Sequence, residues 1–254
     1  MEVIVLGSGT GWPRLDRSSP SYLVNIDNFL IMLDIGPNSI KQLLKCKYSI
    51  NDISAIFISH FHPDHITDLI PFLFAIKYSM EFTRKEKIYI ITHKNFKTFY
   101  QKINEAFNYH LTPPENLIEF KLIPNESLFY ELNINDIKLK TAKVKHNEES
   151  IAIRIEHKNK SIVYSGDTAY NLQLVELSRN CDLLLIECSN GNFFQTEDHL
   201  NIEEVKKIII EAQPKRVIIT HLYPHSENIE IEKIKEYSNH ISIEIAKDLM
   251  KVEI

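Results

Sequence analysis

The chain has 254 residues, 44% of them hydrophobic and 25% charged, with a formal net charge of −5 at pH 7. A chain of this length buries a sizeable core as a single domain, 1–254, and its negative balance excludes a general electrostatic footprint for nucleic acid. No apolar run approaches the roughly 20 residues that cross a bilayer, residues 1–6 lack the basic start of an export signal, and Cys46, Cys181 and Cys188 lack metal-type spacing, so a cytoplasmic protein with no membrane partner is expected.

In chain order, a first strand over 3–6 runs into Gly7, Gly9 and Gly11. The spacing does not fit the GxGxxG of dinucleotide loops, and Pro13 and Pro20 block an immediate helix, which leaves a glycine loop on a pocket floor. A strand over 56–59 then ends in His60-Phe61-His62-Pro63-Asp64-His65. A turn there lets His60 and His62 aim two neutral imidazoles at one point, as a divalent transition metal requires, while Asp64 and His65 serve a second point. Pro63 stiffens the turn, so the second pair is expected to point away from the first. Ile66, Leu69, Ile70 and Leu73 recur at helical period and predict a helix beginning beside the site, its dipole favouring an anionic substrate. Region 80–131 reads as a strand (88–92), a helix (95–107) and a Pro113-Pro114 turn, forming part of a substrate wall.

Further along, the alternating strand 137–145 leads to His146, and the strand 161–165 leads through Gly166, which permits a tight turn, to Asp167. The apolar run 183–186 closes on Glu187. His199 precedes Asn201 and Glu204, a capping box for a helix carrying Ile202, Val205, Ile208 and Ile209. The strand 216–220 leads to His221. Taken singly, His146 reads as a surface histidine and Asp167 as a turn carboxylate; their shared position at strand ends points instead to one sheet edge. Tyr223 and His225 follow as pocket-lining residues without an assigned role. His93, His110, His157 and His240 lie in polar surroundings and read as surface residues.

His60-Phe61-His62-Pro63-Asp64-His65, His146, Ser165-Gly166-Asp167-Thr168 and Thr220-His221-Leu222 together resemble the metallo-β-lactamase superfamily, in its ribonuclease Z-like branch. The opening 5–11, the stretch 17–23 and Leu33-Asp34-Ile35-Gly36-Pro37 are similar to that branch as well, so the resemblance covers nearly the whole chain. It implies an α/β fold, the αββα four-layer sandwich of two mixed sheets packed face to face with helices outside; periodicity alone gives only a mixed α/β domain. It also implies two divalent metal ions, one held by His60, His62 and His146, the other by Asp64, His65 and His221, with Asp167 between them. Zinc is the default for so nitrogen-rich a set, with manganese or iron fitting the same ligands. Asp34 resembles an outer carboxylate near the site. Asp64, Glu187 and His199 are the expected catalytic residues, the last two matching the family pair that orients and protonates the leaving group.

The implied activity is a metal-dependent hydrolase, foremost a phosphodiesterase in which the two ions ionise a shared water to hydroxide. A small phosphodiester or nucleotide is the expected substrate, and a homodimer is the expected assembly. Two alternatives stand beside it: a transfer-RNA 3′-processing endoribonuclease with RNA as its partner, and a hydrolase of lactones or thioesters. Endoribonucleases of this branch carry an RNA-gripping arm between the third histidine and the bridging aspartate. Here only 21 positions (167 − 146) separate His146 from Asp167, which leaves no room for one. The basic run Arg84, Lys85, Lys87 reads as a solvated loop.

Overall fold

The computed structural model describes residues 1–124, 127–192, 195–229 and 241–254. His240 lies outside them. The first sheet is built from β1 (Glu2–Gly7), β2 (Ser21–Ile26), β3 (Phe29–Leu33), β4 (Ile53–Phe57), β5 (Ile88–His93) and β6 (Ile118–Ile123). The second takes β7 (Phe129–Ile134), β8 (Ile137–Lys143), β9 (Ile151–His157), β10 (Lys160–Tyr164), β11 (Leu183–Glu187), β12 (Arg216–Thr220) and β13 (Ser242–Ile245), while β14 (Lys251–Glu253) returns to the first. Strand order is 14-1-2-3-4-5-6 in one and 13-12-11-10-9-8-7 in the other. Both sheets are mixed: β1, β2 and β3 pair antiparallel and β3 to β6 parallel, while β7 to β10 pair antiparallel and β10 to β13 parallel.

Burial explains the layering. Val5, Val24, Leu33 and Phe57 from the first sheet meet Leu139, Ile153, Tyr164 and Leu185 from the second in one interior cluster. The opposite faces are also apolar. Helices α1 (Ser39–Lys45), α2 (Pro63–Ile66), α3 (Leu69–Tyr78) and α4 (Phe96–Ala106) belong to the first half, whose outer face carries Leu6, Met32, Ile56 and Ile90 packed with Leu43, Phe72 and Phe96. Helices α5 (Leu172–Ser178) and α6 (Ile202–Ala212) cover Val163, Leu184 and Ile219 of the second. Strands buried on both faces read as unbroken apolar runs, as 183–186 does, and each such side chain contributes roughly 1.5–3 kcal/mol by leaving water. The result is the αββα sandwich. No helix among the described residues is long and apolar enough to cross a membrane.

Several expectations need correction. The apolar pattern Ile66, Leu69, Ile70, Leu73 is not one helix: α2 is a single turn that ends at Ile66, and α3 starts afresh at Leu69. The break arises because Asp68 is committed elsewhere, its N–H donating to the Ile35 carbonyl and its carboxylate accepting from the Ile40 N–H at the start of α1. A one-turn helix has little dipole to offer an anion. His93 and His157 are buried rather than at the surface, His157 bonding Asp136 Oδ2 at 2.9 Å across the turn between β7 and β8. Both lie at strand ends, and their burial there is a tertiary fact their polar sequence neighbours do not signal. His110 is exposed as expected.

Candidate metal centre

The parallel strands of both sheets end at the same rim of the sandwich. His60 lies three residues past β4, Asp34 directly past β3, Asp167 three past β10 and His221 directly past β12, while Glu187 closes β11. His146 differs from expectation in one respect: β8 stops at Lys143, and a bridge between Lys145 and Ala169 carries His146 to the rim. Tight local geometry makes the convergence possible. Gly166 has φ +57°, and a side chain there would press on Ser59. Gly36 lies so close to the Asp64 carbonyl that a Cβ would stand 1.9 Å from its oxygen. Asp34 and His221 adopt left-handed backbone (φ 58° and 54°), a costly conformation for non-glycine residues that concentrates at functional sites.

The seven residues singled out by sequence come together. Ligand-type atoms of His60, His62, His146 and Asp167 lie within 4.8 Å of one another, as do those of Asp64, His65 and His221. Asp167 stands between the groups, its Oδ2 3.8 Å from His60 Nε2 and 3.3 Å from His65 Nε2, its Oδ1 3.5 Å from His221 Nε2. Asp64 Oδ2 is 3.4 Å from His221 Nε2, and His146 Nε2 is 3.2 Å from His62 Nδ1. His65 therefore does not turn far from the first pair, since its ring centroid is 4.2 Å from that of His60. Its Nε2 nonetheless serves the second group.

The outer nitrogens explain which inner ones are available. His146 Nδ1–H donates to the Asp198 carbonyl at 2.8 Å. Nδ1 of His65 is 2.6 Å from Asp34 Oδ2, that of His60 is 3.0 Å from Ser59 Oγ, and that of His221 is 2.8 Å from Ser189 Oγ. A proton on each of these Nδ1 atoms leaves Nε2 with its lone pair directed into the centre. Asp34, wholly buried, also accepts from the Ser59 N–H, the Ser59 hydroxyl and the Tyr164 hydroxyl. None of Ser59, Tyr164, Ser189 or the Asp198 carbonyl carries a recognisable sequence signal; only a metal motif already placed could have directed attention to its neighbours.

The charges are those of a centre built for cations. Burial opposes protonation of His65, but Asp167 and Asp34 outweigh it and hold its pKa well above that of an ordinary histidine. Burial and the charge on His65 drive His60 well below. Burial should raise Asp167, yet His221 and His65 pull it far below the usual carboxylate range. Among the described residues, His60 Nε2 and Asp167 Oδ1 are buried with no hydrogen-bond partner, a costly arrangement unless something else engages them. Imidazole nitrogens and carboxylate oxygens at this spacing fit divalent transition metals.

Beside this cluster, Glu187 is buried and accepts from the Thr168, Ser189 and Leu200 N–H groups. Its Oε1 is 2.8 Å from His199 Nδ1, and the His199 ring stands 4.9 Å from His146. Burial opposes the imidazolium of His199, but the charge and hydrogen bond of Glu187 prevail and lift its pKa to about 9. Asn201 and Glu204 form the expected capping box at α6, with His199 two residues before the cap residue Asn201. Behind the motif, Phe61 stacks on Phe99 of α4 at 5.0 Å, so part of region 80–131 supports the histidine turn.

The profile of one family, described as Anti-Pycsar protein Apyc1, matches residues 1–240. The chain belongs to that family. This Apyc1-family chain is also 26% identical to a ribonuclease Z of Saccharolobus islandicus over 267 aligned positions, covering 90% of the chain and 91% of the relative. Its fold is shared with the metallo-β-lactamase fold protein YhfI of Bacillus subtilis (TM-score 0.83, 23% identity, 100% and 99% covered) and with the short form of human tRNase Z (TM-score 0.81, 19% identity, 100% and 99% covered). The Apyc1-family chain is thus a metallo-β-lactamase superfamily hydrolase of the ribonuclease Z-like branch.

Proposed function

We propose that the protein is a dinuclear metal-dependent phosphodiesterase acting on a small phosphodiester or nucleotide, with His60, His62 and His146 on one ion, Asp64, His65 and His221 on the other, and Asp167 shared. The reading rests on one observation above all: the orphaned His60 Nε2 and Asp167 Oδ1 lie amid converging lone pairs, next to a carboxylate-held imidazolium. Two such ions would lower the pKa of water to about 7 and offset the diester's negative charge. The chain's own residues do the rest. Glu187, pinned by three N–H groups, holds His199 protonated, and the opposite edge of that ring, Nε2–H, gives its proton to the departing alkoxide. Zinc is the expected metal. A cytoplasmic homodimer is proposed alongside, supported by the free thiols Cys46, Cys181 and Cys188 and by exposed Phe74, Tyr78 and Met80.

RNA processing is the second reading, favoured by the name of the ribonuclease Z relative. Against it, β9 and β10 occupy the interval between His146 and Asp167, and Arg84 and Lys87 are engaged by Asn51, Glu86 and Glu119. One panel separates the readings. Metal-loaded protein is expected to hold about two ions per chain by elemental analysis and to cleave an aryl phosphodiester and a cyclic nucleotide, with chelation abolishing turnover. Cleavage confined to transfer-RNA precursors, or to lactones and thioesters, would overturn the assignment.

The acid role has its own pH signature. Because the pKa of His199 is raised, the proton-donating form is present below about 9 and lost as pH rises through that value, and nearby cations can only lower it. The rate on a poor leaving group should therefore show an alkaline limb at or below about pH 9. Glu187→Gln removes the anion that raises the pKa and should move the limb to lower pH. His199→Ala should cost roughly 10²–10⁴-fold with an alkoxide leaving group, and far less with 4-nitrophenolate, which needs no proton. A limb that stays put in Glu187→Gln would refute the assignment.

A further inference from the structure

The sequence contains a single tryptophan, Trp12, and it is 62% exposed although large aromatic side chains are on average well buried. Its position is not that of a loose surface loop. Its neighbour Gly11 lies against the Asp64 carboxylate, where a Cβ would stand 3.4 Å from Oδ2, the oxygen that faces His221. The segment around Trp12 is held at many points. The Trp12 N–H donates to Thr10 Oγ1, the Gly9 N–H to the Ser18 carbonyl, and the Ser18 N–H to Asp248 Oδ2. Arg17 reaches the Ala246 carbonyl, and Arg14 and Arg17 both bind Glu227 Oε1, at 2.6 and 3.0 Å.

Glu227 belongs to the segment that follows His221, so these two ion pairs tie the Trp12 loop to the stretch carrying Tyr223 and His225. The Tyr223 ring meets His221 edge-on at 6.2 Å and stacks on His225 at 5.7 Å with only 15° between planes. The tethered loop thus carries an exposed tryptophan one residue from the Gly11–Asp64 contact and is tied by the Glu227 ion pairs to the segment that bears the stacked Tyr223–His225 pair. The surrounding bonds fix the backbone and leave most of the side chain exposed.

We propose that Trp12 is the platform on which the base of a nucleotide phosphodiester stacks, positioning the phosphate over the Asp64–Asp167 centre. The proposal rests on the phosphodiesterase reading and names the part of the substrate that the metal ligands do not touch. Stacking suits this task because every base offers a π-face, so affinity is gained without strong sequence preference.

Because Trp12 is the sole tryptophan, its fluorescence reports the event directly. With metal-loaded protein, adenosine 5′-monophosphate is expected to quench the emission saturably and ribose 5-phosphate is not. In kinetics, Trp12→Ala should reduce the preference for a cyclic nucleotide over a base-free cyclic ribose phosphate, measured as the ratio of kcat/KM values, by about tenfold or more, with Trp12→Phe restoring most of it. Equal responses to the two monophosphates, or an unchanged ratio, would overturn the platform even if the protein hydrolyses phosphodiesters. Base-dependent quenching without any hydrolysis would uphold the platform and overturn the phosphodiesterase reading instead.

Discussion

Asp167→Ala is expected to abolish phosphodiester turnover, by more than the roughly 10–100-fold that follows loss of an outer partner of a metal ligand. The reason lies in its position. Both of its oxygens face imidazole nitrogens, Oδ2 those of His60 and His65 and Oδ1 that of His221, so its removal takes the shared anion from both ligand groups at once. Metal content should fall from about two ions per chain, and Asp167→Asn should share the defect, because the amide keeps the shape but not the charge. Elemental analysis alongside initial rates measures both effects. A variant that keeps its full metal content and turns over at near the parental rate would remove the central premise of a two-metal centre.

Asp34→Ala should be the most damaging change to stability near the site. Its carboxylate accepts from the Ser59 N–H, the Ser59 hydroxyl and the Tyr164 hydroxyl and pairs with His65 Nδ1, all without solvent. Deleting one member of such a buried network costs about 3–5 kcal/mol, because the partners are left charged or unsatisfied. Urea unfolding should show this as a lower midpoint with the slope retained. The same carboxylate fixes the His65 tautomer, and acting through Ser59 it steadies His60, so metal affinity should fall about 10–100-fold. Wild-type stability together with wild-type metal affinity in this variant would show that Asp34 is only a turn residue, as its place before Gly36 also allows.

These two aspartates differ in how far the chain itself discloses them. Asp167 follows a short apolar strand and a glycine, a local pattern that permits an inward carboxylate, and Gly166 does adopt the positive φ such a turn needs. Asp34 has the same kind of neighbourhood, yet its work is done through Ser59, 25 positions on, and Tyr164, 130 positions on. Periodicity cannot reach across such separations. The split of the 63–78 region into two helices has the same origin: the apolar spacing is genuinely helical, but Asp68 gains more by bonding Ile35 and Ile40 than by continuing the turn. His93 and His157 were legible only as polar residues among polar neighbours, since whether a strand end is covered depends on the layer above it.

By itself, then, the sequence determined most of the elements and marked the candidate ligands, because strand period, turn glycines, the Asn201–Glu204 capping box and the clustered histidines are all written within a few positions of one another. The tertiary structure alone decided that β4 of one sheet and β10, β11 and β12 of the other end at one rim, that four histidines have their Nδ1 atoms engaged so that Nε2 faces inward, and that the exposed Trp12 follows a glycine packed against Asp64. Hydrogen bonds and contacts between distant segments fix those features, and their energies depend on ångström-scale distances that no local pattern encodes.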